Sequence, residues 1–176
     1  ANQPSAPFII SIQHARIQGT GLYVPTGNAT YGSLTLRDSW LRLGNSPYLW
    51  YPAATSVIER NVIIGGRIEV LGGLTVQNNL LVGVQLVSMS GTMVVSKNTF
   101  RGGGVTLPLG YSNAGIVAIN NYWGTTDDAV VQSMIYDRND NLASGGYIAY
   151  QPILTAPDAA TPVGPVYMFS DFNGDL

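Results

Sequence analysis

The chain contains no cysteine, which excludes disulfides and thiol chemistry and fits either a cytosolic protein or an exported bacterial one that avoids thiols. Charge is scarce as well. Only 10% of the 176 residues are charged, far below the usual quarter, and Lys97 is the single lysine. With a formal net charge of −2 and a pI near 5.1 there is no basic footprint, so nucleic acid is not an expected partner. No apolar run reaches the roughly 18 residues of a membrane-spanning helix, so membrane insertion is not expected either. The lone histidine, His14, cannot form a catalytic triad by itself. The opening Ala1-Asn2-Gln3-Pro4-Ser5-Ala6-Pro7 reads as the polar lead of a processed or cloned fragment.

What the chain does have is glycine, 21 residues of it, and a hydrophobic content of 45%. The length suits one domain with a real core. An internal repeat organises it. Ile58-Glu59-Arg60-Asn61-Val62-Ile63-Ile64-Gly65 matches Val76-Gln77-Asn78-Asn79-Leu80-Leu81-Val82-Gly83, and both match Val95-Ser96-Lys97-Asn98-Thr99-Phe100-Arg101-Gly102. A fourth copy begins at Ala118, and weaker ones at Ile12 and Leu36. With Ala15, Ser39, Asn61, Asn79, Asn98 and Asn121 as anchors, the steps are 24, 22, 18, 19 and 23 residues. Periods near 20 residues with variable loops point to a β-helix rather than to a leucine-rich repeat.

Two columns carry the physics. Ile12, Leu36, Ile58, Val76, Val95 and Ala118 stand three residues before the anchor; Ile17, Leu41, Ile63, Leu81, Phe100 and Trp123 stand two after it. Both are apolar throughout, as rows of side chains stacked inside a coil must be. The anchor is Asn at Asn61, Asn79, Asn98 and Asn121. Asn tolerates left-handed backbone angles at a sharp bend, and stacked amides can form a hydrogen-bonded ladder. Short second strands such as Arg67-Ile68-Glu69-Val70 and Val84-Gln85-Leu86-Val87, set off by Gly65-Gly66, Gly72-Gly73 and Gly102-Gly103-Gly104, fill the intervals. A β-sandwich is the rival arrangement, but it does not require matched rows. The expected fold is all-β: a parallel β-helix of about six coils.

A solenoid needs caps on its exposed sheet edges. Thr125-Thr126-Asp127-Asp128 reads as a helix start, Ala129 to Tyr136 has helical spacing of Val130, Val131, Met134 and Ile135, and Gly145 to Leu154 reads as a final extended segment. The run Asn120-Asn121-Tyr122-Trp123-Gly124-Thr125, the helix ending Ile135-Tyr136-Asp137, and Tyr150-Gln151-Pro152-Ile153-Leu154-Thr155-Ala156-Pro157 together resemble a frequent ending of right-handed parallel β-helix repeat proteins. The resemblance covers residues 120–157 closely and the earlier coils more loosely. It implies the right-handed, pectate-lyase-like superfamily fold and a secreted or cell-surface protein of bacteria or archaea. It implies no particular activity, since that wider family holds polysaccharide-acting enzymes and many proteins without assigned chemistry. Residues 1–157 are thus expected to form one β-helix domain with its cap, and residues 158–176 a linker and acidic tail. In that tail Ser170-Asp171-Phe172-Asn173-Gly174-Asp175-Leu176 resembles the opening of a dockerin-type or EF-hand-like calcium loop, with Asp171, Asn173 and Asp175 as oxygen ligands. The set is incomplete, so the expected reading is a disordered acidic tail, with the stub of a truncated calcium-binding module as the alternative. No other cofactor is indicated.

On a parallel stack, side chains of successive coils line up about 4.8 Å apart. The column before the anchor reads His14, Asp38, Arg60, Asn78, Lys97, Asn120; its neighbour reads Gln13, Arg37, Glu59, Gln77, Ser96, Ile119. Arg37 then faces Glu59, and Asp38 faces Arg60. The pattern suits a solvated ladder of ion pairs, each contributing about 0–1 kcal/mol. It also suits a polar groove for glycan hydroxyls, with Tyr23, Trp50 and Tyr51, and also Trp40 and Tyr122, as stacking faces. No column gathers the carboxylates that a calcium-dependent lyase would need, so no catalytic residue is assigned. The expected function is a non-catalytic structural or glycan-binding module of an exported protein. The alternatives are a polysaccharide lyase or hydrolase fragment working near Arg60 or Lys97, and a self-assembling surface element that forms homo-oligomers through its N-terminal coil.

Overall fold

The computed structural model describes residues 9–19, 33–44 and 55–164. Its strands are β1 (Ile9–Gln13), β2 (Arg16–Gly19), β3 (Ser33–Arg37), β4 (Trp40–Leu43), β5 (Val57–Glu59), β6 (Val62–Ile64), β7 (Arg67–Leu71), β8 (Leu74–Gln77), β9 (Leu80–Ser96), β10 (Thr99–Thr106), β11 (Ala114–Val117) and β12 (Ile135–Tyr136), with one helix, α1 (Asp128–Ser133). Every strand-to-strand pairing is parallel, and the chain winds as a β-solenoid. One side stacks β1, β3, β5, β8, the end of β9, and β11. The second stacks β2, β4, β6, the start of β9, and the start of β10. The third stacks β7, the middle of β9, the end of β10, and β12.

The number of complete turns is about four rather than six. Six strands line the first side, but residues 20–32 and 45–54, which follow β2 and β4, lie outside the described residues. Register explains the matched columns. Leu36, Ile58, Val76 and Val95 pair in sequence along the first side, and Ile17, Leu41, Ile63, Leu81 and Phe100 along the second. From Leu36 and Leu41 onward these side chains are buried in one continuous core. Trp123 ends the second row by stacking on Phe100, with ring centroids 4.3 Å apart.

The bend between the first and second sides is made differently from the expectation. The left-handed backbone does not fall on the anchor. It falls one residue earlier, at His14, Asp38, Arg60, Asn78, Lys97 and Asn120, whose φ angles lie between 49° and 57°. This residue turns the chain from one sheet to the next, and the anchor side chain that follows is directed inward. Asn79 Oδ1 accepts from the backbone N–H (2.9 Å) and side-chain amide (3.0 Å) of Asn61. Asn98 receives the same pair from Asn79, and Asn121 the same pair from Asn98. Each side-chain amide also donates to carbonyls, Asn79 to Ile58 and Gln77 for example. All four amides are fully buried, so these bonds satisfy groups that water cannot reach.

At the C-terminal end, Asp127 caps α1 by accepting from the Ala129 amide. The helix stops at Ser133, short of the expected Tyr136. Ile135 and Tyr136 form β12 instead, pairing with Val105 and Thr106. The edge of the third sheet needed partners more than two further residues needed helical bonds. Residues 149–154 then cover the last coil: the Ala118 amide donates to Ala149, the Asn120 amide to Pro152, and the Leu154 amide to Asn121. Among the described residues, no helix is long and apolar enough to cross a membrane.

Candidate functional site

The left-handed residues matter for the site because they project their own side chains outward at the corner between two sheets. His14, Asp38 and Arg60 occupy this corner on three successive coils. Arg60 makes a two-pronged contact with Asp38, Nε to Oδ1 at 2.8 Å and Nη2 to Oδ2 at 2.9 Å. Its third nitrogen, Nη1, donates to Glu59 Oε1 at 2.8 Å. Glu59 also pairs with Arg37 Nε at 2.8 Å and accepts from Gln77 Nε2 at 2.6 Å. Five of the candidate polar residues, His14, Arg37, Asp38, Glu59 and Arg60, therefore lie together on coils one to three.

The electrostatics follow from these contacts. The Arg60 hydrogen bonds hold the Asp38 carboxyl below the usual carboxylate range against a modest opposing effect of burial. Burial pushes Glu59 up, but its bonds from Gln77 and Arg60 and the charges of Arg37 and Arg60 outweigh that, and its carboxyl too lies low. The Arg60 guanidinium is raised, first by its bonds to Asp38. Both acids are consequently committed anions, and neither is poised to carry a proton near neutrality.

Beside this network lies an open recess of about 450 Å³, lined by His14, Arg16, Asp38, Trp40, Arg60 and Pro162 among others. The Arg16 guanidinium sits over the Trp40 ring, 4.8 Å from its centroid. Arg16 and Pro162 were not among the residues expected from the sequence. Arg16 follows the anchor directly and is in register with Trp40, so the repeat carried a signal for it. Pro162 had none, because it arrives from outside the repeat.

The remaining candidates are placed elsewhere. Asn78, on the fourth coil, donates to Asp158 Oδ1 at 2.8 Å. Lys97, on the fifth, is exposed, and its carbonyl accepts from the Thr161 hydroxyl at 2.8 Å. Tyr23, Trp50 and Tyr51, and the calcium candidates Asp171, Asn173 and Asp175, lie outside the described residues. Among the described residues, no three His, Asp or Glu side chains are grouped to hold a metal ion. The recess thus offers an aromatic ring, an imidazole and a fixed carboxylate–guanidinium pair, with each nearby acid already engaged.

No protein-family model matches the chain, and no curated protein or solved structure matches it either.

Proposed function

We propose that this chain is a non-catalytic β-solenoid module of an exported, secreted or cell-surface protein, and that it binds polysaccharide at the recess on coils one to three. The observation that carries the reading is the Asp38–Arg60 pair set beside Trp40 and His14 in one open trough. Sugar rings present hydroxyls at their edges and C–H groups on their faces. A rigid polar pair can bond the edges and an aromatic ring can pack against the faces. The resemblance of residues 120–157 to the endings of right-handed, pectate-lyase-like β-helix proteins of bacteria and archaea supports export, and the absence of thiols is compatible with it. A calcium ion belongs, on this reading, only to the tail at Asp171, Asn173 and Asp175.

The test is incubation with a panel of acidic and neutral polysaccharides, with and without calcium, scoring both retained protein and new reducing ends. Retention without products is expected, reduced about tenfold or more by Trp40→Ala, as for an aromatic contact of about 1–3 kcal/mol. Products that vanish in Arg60→Ala or Lys97→Ala would make the chain a lyase or hydrolase fragment. Neither retention nor products would leave a purely structural module.

A second reading, homo-oligomers built through the N-terminal coil, is favoured by one observation. Ile9 is 75% exposed, and Ile10, Ile12 and Ile17 are only partly buried, whereas Leu34, Leu36 and Leu41 one coil later are buried fully. Sedimentation that reports a monomer at every concentration would sink it.

A further inference from the structure

Residues 158–164 follow the cap and fold back over the corner that bears the recess. Asp158 is held by the Asn78 side chain and Thr161 by the Lys97 carbonyl, each at 2.8 Å. The Thr161 amide donates to the Asp158 carbonyl and the Ala160 amide to its side chain, which closes a tight turn. Pro162 then forms part of the recess wall, and Gly164 lies over Leu80, so closely that an added Cβ would stand 2.7 Å from Leu80 Cδ2.

The column beneath this segment faces outward on the second side. It reads Arg16, Trp40, Val62, Leu80, Thr99 from coil to coil. Arg16 is exposed and Trp40 and Val62 are half-buried, but Leu80 is 2% and Thr99 3% exposed. The Thr99 hydroxyl is buried without a hydrogen-bond partner, an unfavourable state for a polar group. Among the described residues, no backbone-to-backbone hydrogen bond joins 158–164 to the coils. Two side-chain bonds are its polar anchors. A segment so lightly tied opens far more readily than the ladder below it.

We propose that residues 158–164 are a removable strap that ends the groove at the third coil, and that lifting it extends the binding surface over Leu80 to Thr99. The extension rests on the polysaccharide reading above; the lifting does not. A lifted strap uncovers an apolar step at Leu80, next in the column to the unpartnered Thr99 hydroxyl, which a sugar hydroxyl can satisfy. Strap position thereby sets the length of glycan accepted.

The absence of cysteine makes the test direct. Leu80→Cys introduces a lone thiol beneath the strap, and its rate of reaction with an uncharged maleimide reports opening. In that background, Asn78→Gly removes the Asp158 anchor while keeping the left-handed bend, and Thr161→Val removes the Lys97 anchor with little change of shape. Each is expected to speed labelling roughly tenfold, the factor carried by one ordinary hydrogen bond. Unchanged rates would overturn the strap, as would rates that merely track global unfolding measured in urea. Galacturonate and cello-oligomers of graded length then serve as probes. Longer oligomers are expected to protect the thiol in the released variants, while short ones leave it reactive. Binding without protection at any length overturns the extension. If labelling accelerates but no oligomer binds any form, the polysaccharide reading falls and the extension with it.

Discussion

At the scale of single residues, the corner of the solenoid divides its work between two neighbours. One adopts the left-handed conformation, which costs about 1–2 kcal/mol for a residue with a Cβ. The next, an Asn on four successive coils, offsets that cost by satisfying buried backbone groups on its own coil and the preceding one. Asn98→Ala would remove the acceptor of the Asn79 backbone and side-chain amides, and a donor to the Val76 and Ser96 carbonyls, at once. It is expected to lower stability by about 3 kcal/mol or more, measured by urea unfolding; a loss under about 1 kcal/mol would show that the coil reseals around the gap. The Asn column itself was legible in the sequence because it recurs. Its assignment to the left-handed position was not, because Asn suits both a bend and an amide ladder, and the adjacent column of His, Asp, Arg, Asn and Lys looked like surface chemistry rather than backbone geometry.

The paired carboxylates give a second residue-scale expectation. Asp38 and Glu59 are both held below their ordinary range when folded. Their contribution is therefore present above the unfolded pKa of about 4 and is lost as pH falls through the lowered folded values. Urea midpoints should drop below about pH 4 in the wild type, and the drop should be shallower in Asp38→Asn, which suits the left-handed bend. Parallel profiles would mean that the pairs contribute nothing net.

At the scale of elements, close stacking of coils leaves no room at certain turns. Gly103 has a φ of 80°, and a Cβ there would lie 2.0 Å from the Val84 carbonyl oxygen, whereas Gly102, with a φ of 76°, has open space. Gly102→Ala should cost only about 1–2 kcal/mol, the left-handed penalty. Gly103→Ala should cost that and a backbone separation as well, showing as failure to fold or a far lower urea midpoint. Equal effects would contradict the coil spacing. The glycine turns and short strands were readable from the repeat. The end of α1 was not, since Val131, Met134 and Ile135 fit a helical face equally well, and the demand of the Val105–Thr106 edge for partners decided the matter.

At the scale of the whole molecule, the register of the repeat brought Asp38 to Arg60 and Arg37 to Glu59, so most of the recess could be read from aligned columns. The exception is Pro162, whose position depends on a contact between Asn78 and Asp158 that spans 80 residues. No periodic pattern encodes such a contact, because the strap belongs to no repeat. The coil count was misjudged for a related reason: the anchors mark corners, and a corner can be counted before its third side is known.

Because each coil is templated on its neighbours through the same corner bonds, the protein is extensible in whole units. A copy of residues 80–98 inserted after Asn98 would supply one more Asn, one more residue for each inner row and about 4.8 Å of length. The strap, joined through the chain to the cap that covers the last coil, would travel outward with it. Asp158 would then meet a lysine in place of Asn78, Pro162 would leave its present place in the recess wall, and the trough would lengthen by one step.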